Sequence, residues 1–363
     1  MSFITIDGFD DRYNLNNYGD FDDGFDGWGL YPEVSLSQTG LYFSDYWDED
    51  TVPRPLGRYG GYCVMAPDPR ISYELNYLGH LTDGATHFSG GIAVNSLDDD
   101  CEVLFGVVDN VSPTLRRYGP SLETDETGNF ILRRSPSGSR TTEIIQRSLK
   151  TARMTMWGWH YITFQFVCEG LGTDWIKVWC DGELVIDYTG ILNYSGTLDW
   201  LECPGNSDAI DDLWLRNDTN VIAEPMIPAI FPDGAGTDTE CTPVGSANNW
   251  ENVDEFEQDF DSSYNLVDTG EKDSFNMGSL SAQVSAGVVH ALCARFFVWG
   301  DAGNALQLRP YVIVNSTKYN GTAQAVTEGY WRYIQEIWEV NPDTSVAWTV
   351  SDIDAVEIGY EAV

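Results

Sequence analysis

Trp157-Gly-Trp-His-Tyr-Ile-Thr-Phe-Gln-Phe-Val-Cys168, then Glu169-Gly-Leu-Gly-Thr-Asp174, then Trp175-Ile-Lys-Val-Trp-Cys-Asp-Gly-Glu-Leu-Val-Ile-Asp-Tyr-Thr-Gly190 is the stretch that decides the fold. Residues 161–167 are β-branched and aromatic, which suits a pleated surface and not a helix. Residues 175–180 and 183–188 flank the pair Asp181-Gly182. Asp-Gly supplies the positive φ angles of a type I′ turn, whose twist matches that of paired strands. The stretch therefore predicts three antiparallel strands at the centre of a sandwich.

Working outward, strand patterns recur along the first part of the chain at 3–6, 35–46, 62–77, 87–95, 102–108, 129–134, 142–147 and 209–216. That spacing is typical of sandwiches. Residues 222–243 hold Pro225, Pro228, Pro232, Pro243, Gly234 and Gly236 without periodicity and read as a linker. Beyond it, patterns at 273–280, 288–299, 305–314, 330–340 and 355–360 predict a second β domain, with a short helix as the alternative at 330–340, where the alternation is mixed. A chain of 363 residues with 42% hydrophobic content has room for two cores. The expected fold class is all-β, two β-sandwich domains, at 1–221 and 244–363.

The formal charge of −38 excludes phosphate-rich partners and anionic membranes, because both need a basic face. No run of about 18 apolar residues predicts a membrane span. The N-terminal segment has neither a basic nor an apolar region, so the expectation is synthesis in the cytoplasm without a signal peptide. Seven scattered cysteines lack any Cys-x-x-Cys pair, and four histidines are dispersed, so no metal or cofactor is expected. Cys168 and Cys180 end neighbouring predicted strands and are read as reduced thiols. The acidic run Asp20-Phe-Asp-Asp-Gly-Phe-Asp-Gly-Trp28 invites a calcium reading but fails the EF-hand spacing, and reads as a solvated loop.

Cations are concentrated in one segment. Arg116, Arg117, Arg133 and Arg134 head an island that continues through Arg140, Arg147, Lys150 and Arg153. Such an island beside acidic surfaces suits docking of a neighbouring copy, and equally suits strand edges protected against aggregation. Trp47, Trp157, Tyr194 and Trp200 fall in expected loops, where flat aromatic faces suit carbohydrate and would also serve an interface.

The order of these signals over residues 1–216 resembles a concanavalin A-like (laminin-G-like) jelly roll. The residues that carry this are Ile4-Thr-Ile-Asp-Gly-Phe9, Trp159-His-Tyr-Ile-Thr-Phe164, Trp175-Ile-Lys-Val-Trp-Cys-Asp-Gly-Glu-Leu-Val-Ile-Asp187 and Ile210-Asp-Asp-Leu-Trp-Leu215. The resemblance implies that the terminal strands of this domain pair. Gly245-Ser-Ala-Asn-Asn-Trp-Glu-Asn-Val-Asp-Glu255 and Ala347-Trp-Thr-Val-Ser-Asp-Ile-Asp-Ala-Val-Glu-Ile-Gly359 are similar to the C-terminal β domains of tailed-bacteriophage structural proteins, in which the second pattern is the last strand.

The resemblance implies a non-enzymatic virion component, external at the tail or baseplate, assembled in the host cytoplasm. Its expected partners are copies of itself, other virion proteins and host surface polysaccharide, with no nucleic acid and no membrane. A capsid decoration protein, a free lectin and a glycoside hydrolase are the competing readings. For the last, Asp352-Ile-Asp354-Ala-Val-Glu357 is the nearest approach to a paired-carboxylate signature. Period-2 alternation would put Asp352 and Asp354 on one face and Glu357 on the other. No catalytic residue is therefore assigned.

Overall fold

The computed structural model describes residues 3–7, 64–66, 70–74, 86–95, 105–112, 115–125, 128–134, 143–148, 158–169, 172–192, 200–204, 208–223, 225–254, 262–284, 287–300, 306–326 and 331–363. The strand expected at 35–46, the acidic run at 20–28, and Trp47, Trp157 and Tyr194 lie outside these residues. The chain forms two compact units that divide between Ile227 and Pro228.

The first unit is built from β1 (Phe3–Asp7), β2 (Val64–Ala66), β3 (Arg70–Glu74), β4 (His87–Asn95), β5 (Phe105–Ser112), β6 (Leu115–Thr124), β7 (Phe130–Arg134), β8 (Glu143–Arg147), β9 (Trp159–Val167), β10 (Trp175–Cys180), β11 (Glu183–Thr189), β12 (Trp200–Pro204) and β13 (Asp208–Arg216). One sheet runs β1-β13-β4-β9-β10-β11, with β2 also on β13, and the other runs β3-β12-β5-β6-β7-β8. Every pairing in both sheets is antiparallel. Terminal strands β1 and β13 pair, so the ends of this unit close on each other. The hairpin turn at Asp181 and Gly182 has φ of 49° and 76°, the double positive that a type I′ turn needs. Phe88, Ile92, Leu122, Phe130, Ile162, Phe164, Phe166, Ile176 and Val178 are among the fully enclosed apolar side chains of this unit.

The second unit holds β14 (Pro232–Thr239), β15 (Thr242–Val244), β16 (Tyr264–Leu266), β17 (Lys272–Met277), β18 (Leu292–Trp299), β19 (Gln307–Val314), β20 (Thr317–Asn320), β21 (Gln324–Ala325), β22 (Trp331–Trp338) and β23 (Glu357–Ala362), with short 3-10 turns at Asn249–Asn252 and Leu280–Ala282 and an α-helical turn, α1 (Val350–Ile353). Its main sheet runs β14-β17-β23-β19-β20, with β21 on β19. The ribbon β18–β22 packs over that sheet: Leu292 and Ala294 share a core with Val312, Val314, Ile358, Trp348 and Ile353. Residues 331–338 are thus strand and not helix.

Two expectations need correction. The stretch 222–243 is not a linker throughout, because residues 232–239 form edge strand β14 on β17. Proline at the first position of an edge strand removes no ladder bond. Gly236 is small because a Cβ there would meet Ser274 and Glu357 side-chain oxygens at 2.5 Å. Glycine here marks close approach, which in sequence looks like flexibility. The second correction concerns Ala347–Gly359, which is only partly a strand. Thr349 caps α1, with its Oγ1 accepting from the Asp352 amide at 3.1 Å and Asp352 Oδ2 accepting from the Thr349 amide at 2.9 Å. This reciprocal cap favours a helical turn over continued extension.

Candidate functional site

β10 reads Trp175-Ile-Lys-Val-Trp-Cys180, and its burial alternates strictly. Ile176, Val178 and Cys180 are buried, while Trp175, Lys177 and Trp179 are partly exposed on the opposite, outer face. Side chains at i, i+2 and i+4 share a face of a strand, and residues directly across a ladder share it too. Lys177 lies opposite Gln165 of β9 and Asp187 of β11, and Trp179 lies opposite Thr163. Trp175 lies opposite Thr189. The result is a row of two indoles and an ammonium, flanked by an amide, hydroxyls and an exposed carboxylate.

Neighbouring groups hold this row in place. Asp174 is fully buried; its Oδ1 accepts from the Glu169 amide at 2.9 Å and its Oδ2 from the Leu192 amide at 3.0 Å. The Gly190 amide donates to the Asp174 carbonyl at 2.8 Å. Asp174 thereby ties both ends of the β10–β11 hairpin to one point, immediately before Trp175. On the β4 side of the same face, Ser89 Oγ donates to the Asn220 carbonyl at 2.7 Å. Chain that follows β13 therefore covers that side, and the β10–β11 side carries the indoles. Flat indole faces beside hydrogen-bonding groups are the chemistry that stacks on sugar rings.

Of the aromatics expected to contact carbohydrate, Trp200 is not in a loop. It opens β12, which lies inside the second sheet between β3 and β5. Trp175 and Trp179 lie on a strand and not in a loop. The Trp-x-Lys-x-Trp alternation was the available signal.

Arg116 and Arg117 lie on β6, opposite Asn110 and Asp109 of β5. Arg133 Nε pairs with Glu123 at 2.5 Å and Arg134 Nε with Glu143 at 2.8 Å. Arg134 also donates to the Ile191 carbonyl. Arg147 approaches Asp125 at 3.6 Å. Arg133, Arg134 and Arg147 pair with carboxylates of their own unit, the first two across the β6–β7 and β7–β8 ladders, which is the cross-strand pairing that fixes register.

Asp352, Asp354 and Glu357 do not converge. Asp352 caps α1, and Asp354 Oδ1 accepts from the Ser281 amide at 3.1 Å. Glu357 Oε2 accepts from Ser274 Oγ at 2.8 Å and the Thr237 amide at 2.6 Å. The helical turn breaks the period-2 pattern that would have put Asp352 and Asp354 on one face.

Cys168, Cys180 and Cys241 are buried and Cys293 is half-buried, none of them in a disulfide. Antiparallel register sets Val167 opposite Trp175 and Ile162 opposite Cys180, so Cys168 and Cys180 sit at opposite ends of β9–β10. His160 Nδ1 lies 2.7 Å from Asp181 Oδ2 at the hairpin turn. Burial pushes the Asp181 carboxyl up, but hydrogen bonds from His160 and the Tyr161 amide outweigh it and hold it below the usual carboxylate range.

In the second unit, Asp273 is buried, with Oδ1 accepting from the Cys241 amide at 3.1 Å and Oδ2 from Asn249 Nδ2 at 2.5 Å. Asn265 Nδ2 donates to the Asn249 carbonyl at 2.9 Å, and Asn252 Nδ2 to Asn265 Oδ1 at 3.0 Å. The Asn-rich motif at 245–255 therefore holds β15, β16 and β17 together. Burial pushes the Cys241 thiol well above the ordinary thiol range, as the nearby Asp273 does further.

No family model and no curated protein matches this chain. Similar solved structures include an endo-β-1,4-glucuronan lyase from Trichoderma reesei, at 13% identity over 53% of this chain and 92% of that one, with a TM-score of 0.33. A Trypanosoma rangeli sialidase is 10% identical over 44% of this chain and 25% of that one, with a TM-score of 0.33. A pentraxin from Limulus polyphemus is 10% identical over 38% of this chain and 66% of that one, with a TM-score of 0.28. This chain thus spans about a quarter of the sialidase's length.

Proposed function

We propose that this chain is a non-enzymatic structural component of a tailed-phage particle, external at the tail or baseplate, whose first unit presents its outer face to host surface polysaccharide. The observation that carries the contact half is the row Trp175, Lys177, Trp179 on the non-core face of β10, with Asp187 and Gln165 beside it. The particle half rests on the resemblance, and the residues quoted for it support a scaffolding role. Ile4–Ile6 lie in β1, which closes against β13, and Asn249 and Asn252 clamp the second unit. Weak single contacts with a repeated polymer gain strength when many copies act together, so the working form is a homo-oligomer.

Immunogold labelling of intact particles tests the first half. Gold on the tail or baseplate supports it, gold on the head turns the reading to capsid decoration, and absence from particles by mass spectrometry ends it. A glycan array probed with the oligomeric protein tests the second half. Binding that falls at least ten-fold in Trp179→Ala supports the outer face, and binding unchanged in both Trp175→Ala and Trp179→Ala removes it.

A further inference from the structure

We propose that His160, Cys180 and Asp181 form a binding site for one borderline transition-metal dication of the zinc class, independent of the function proposed above. The site follows from register. His160 and Ile162 alternate onto the same face of β9, and Cys180 stands directly opposite Ile162 on β10. The imidazole and the thiol are therefore diagonal neighbours across one ladder. The chain then turns at Asp181, with φ of 49°, and the carboxylate folds back over β9. Asp181 Oδ1 accepts from the Tyr161 amide at 2.8 Å, and the Asp181 amide donates to the Tyr161 carbonyl at 2.9 Å.

One donor atom from each of the three residues lies within 4.8 Å of the others. Zinc holds sulfur at about 2.3 Å and nitrogen or oxygen at about 2.0 Å, which places tetrahedral donors roughly 3–4 Å apart. His160 Nδ1 lies 2.7 Å and Cys180 Sγ 3.8 Å from Asp181 Oδ2, separations close to that spacing. Thiolate with imidazole disfavours calcium and magnesium and suits zinc or cobalt. Cys180 is buried, while the Asp181 side chain is 47% exposed, so a fourth position opens toward solvent. The second Asp181 oxygen is held by a backbone amide, the kind of outer support that orients a ligating carboxylate.

The test is titration of the reduced full-length chain with Co2+ alone, followed by displacement with Zn2+. The expected result is one equivalent of cobalt with the strong visible absorption of a tetrahedral site and a thiolate-to-cobalt charge-transfer band. Both vanish in Cys180→Ser. His160→Gln, on a side chain at the end of β9, weakens cobalt affinity at least about ten-fold with the circular dichroism of the fold retained. Cobalt bound without the charge-transfer band, a band unchanged in Cys180→Ser, or affinity unchanged in His160→Gln each overturn the proposal and leave a hairpin clasp only.

Discussion

The Tyr161 hydroxyl donates to the backbone carbonyl of Asp212 at 2.9 Å, joining β9 to the point where β13 is bulged. Asp212 has φ of 48°, and its Oδ1 accepts from the Ile227 amide at 2.9 Å. One residue thus bends the strand and receives the chain leaving it, and Tyr161 fixes its carbonyl. Removing a buried donor leaves its acceptor without compensation. Tyr161→Phe is expected to cost about 1–3 kcal/mol, read from urea unfolding. A loss near zero would mean that the bulge holds without this bond.

Asp218 gives a pH-dependent prediction. It is buried, accepts from Arg216 Nη2 at 2.8 Å and from the Asn220 amide at 2.8 Å, and so fixes the segment that Ser89 binds. Burial raises its carboxyl, but Arg216 and the Asn220 amide outweigh that and hold it below the ordinary range. A depressed folded pKa contributes stability above the unfolded pKa, and that stability is lost as pH falls through the folded value. Asp218→Asn should cost about 3 kcal/mol at neutral pH and less below the carboxylate range. A penalty constant with pH would contradict this.

The outer-face assignment makes a prediction about β10 itself. Ile176 is fully buried and Lys177 is on the other side. Ile176→Ala should cost about 2–5 kcal/mol by chemical denaturation. Lys177→Ala should stay within about 0.5 kcal/mol. Comparable losses at both positions would show that the two faces are not distinguished.

How much of this was legible in sequence depended on the range of the interaction. Asp181-Gly182 announced its hairpin because a turn is local, and β9 followed from its β-branched and aromatic residues. β6 and β12 were missed, since Arg116, Arg117, Gly119 and Pro120 in one and Pro204 in the other look like loop composition. The grouping of His160 with Cys180 and Asp181 was not legible. Twenty residues separate its ends, and only antiparallel register brings them together. Asp174 was also invisible, because its three backbone partners are set by the hairpin and not by neighbours in sequence.

Asp273 should give the opposite pH slope. Burial raises its carboxyl above the ordinary range despite amide hydrogen bonds from Cys241 and Asn249. A raised acid binds its proton more tightly when folded, so stability falls as pH climbs from the unfolded pKa to the folded one. Wild type should therefore lose stability of the second unit across that window, while Asp273→Asn shows a flatter profile. The variant also loses one acceptor, because an amide nitrogen now faces either the Cys241 or the Asn249 donor. That adds a cost of about 1–3 kcal/mol at all pH values, seen as a lower thermal midpoint. Parallel profiles for the two proteins would exclude the carboxyl as the source of the slope.

Gly359 lies between Ser274 of β17 and Tyr311 of β19. A Cβ there would overlap the Asp273 carbonyl oxygen and meet the Tyr311 ring at 2.5 Å. The ring has little room to retreat. Its hydroxyl lies 2.9 Å from both Asp238 Oδ2 and the Asp273 carbonyl, and Lys318 Nζ sits 3.9 Å from its centroid. Overpacking of this kind costs about 1–3 kcal/mol where neighbours shift, and more where backbone must move. Gly359→Ala is thus expected to lower the thermal midpoint of the second unit sharply. Adding Tyr311→Leu should not restore it, because the clash with the Asp273 carbonyl remains. Rescue by the second substitution would locate the constraint in the aromatic ring, and an unaltered midpoint in Gly359→Ala would mean that β17 and β23 are not held at this spacing.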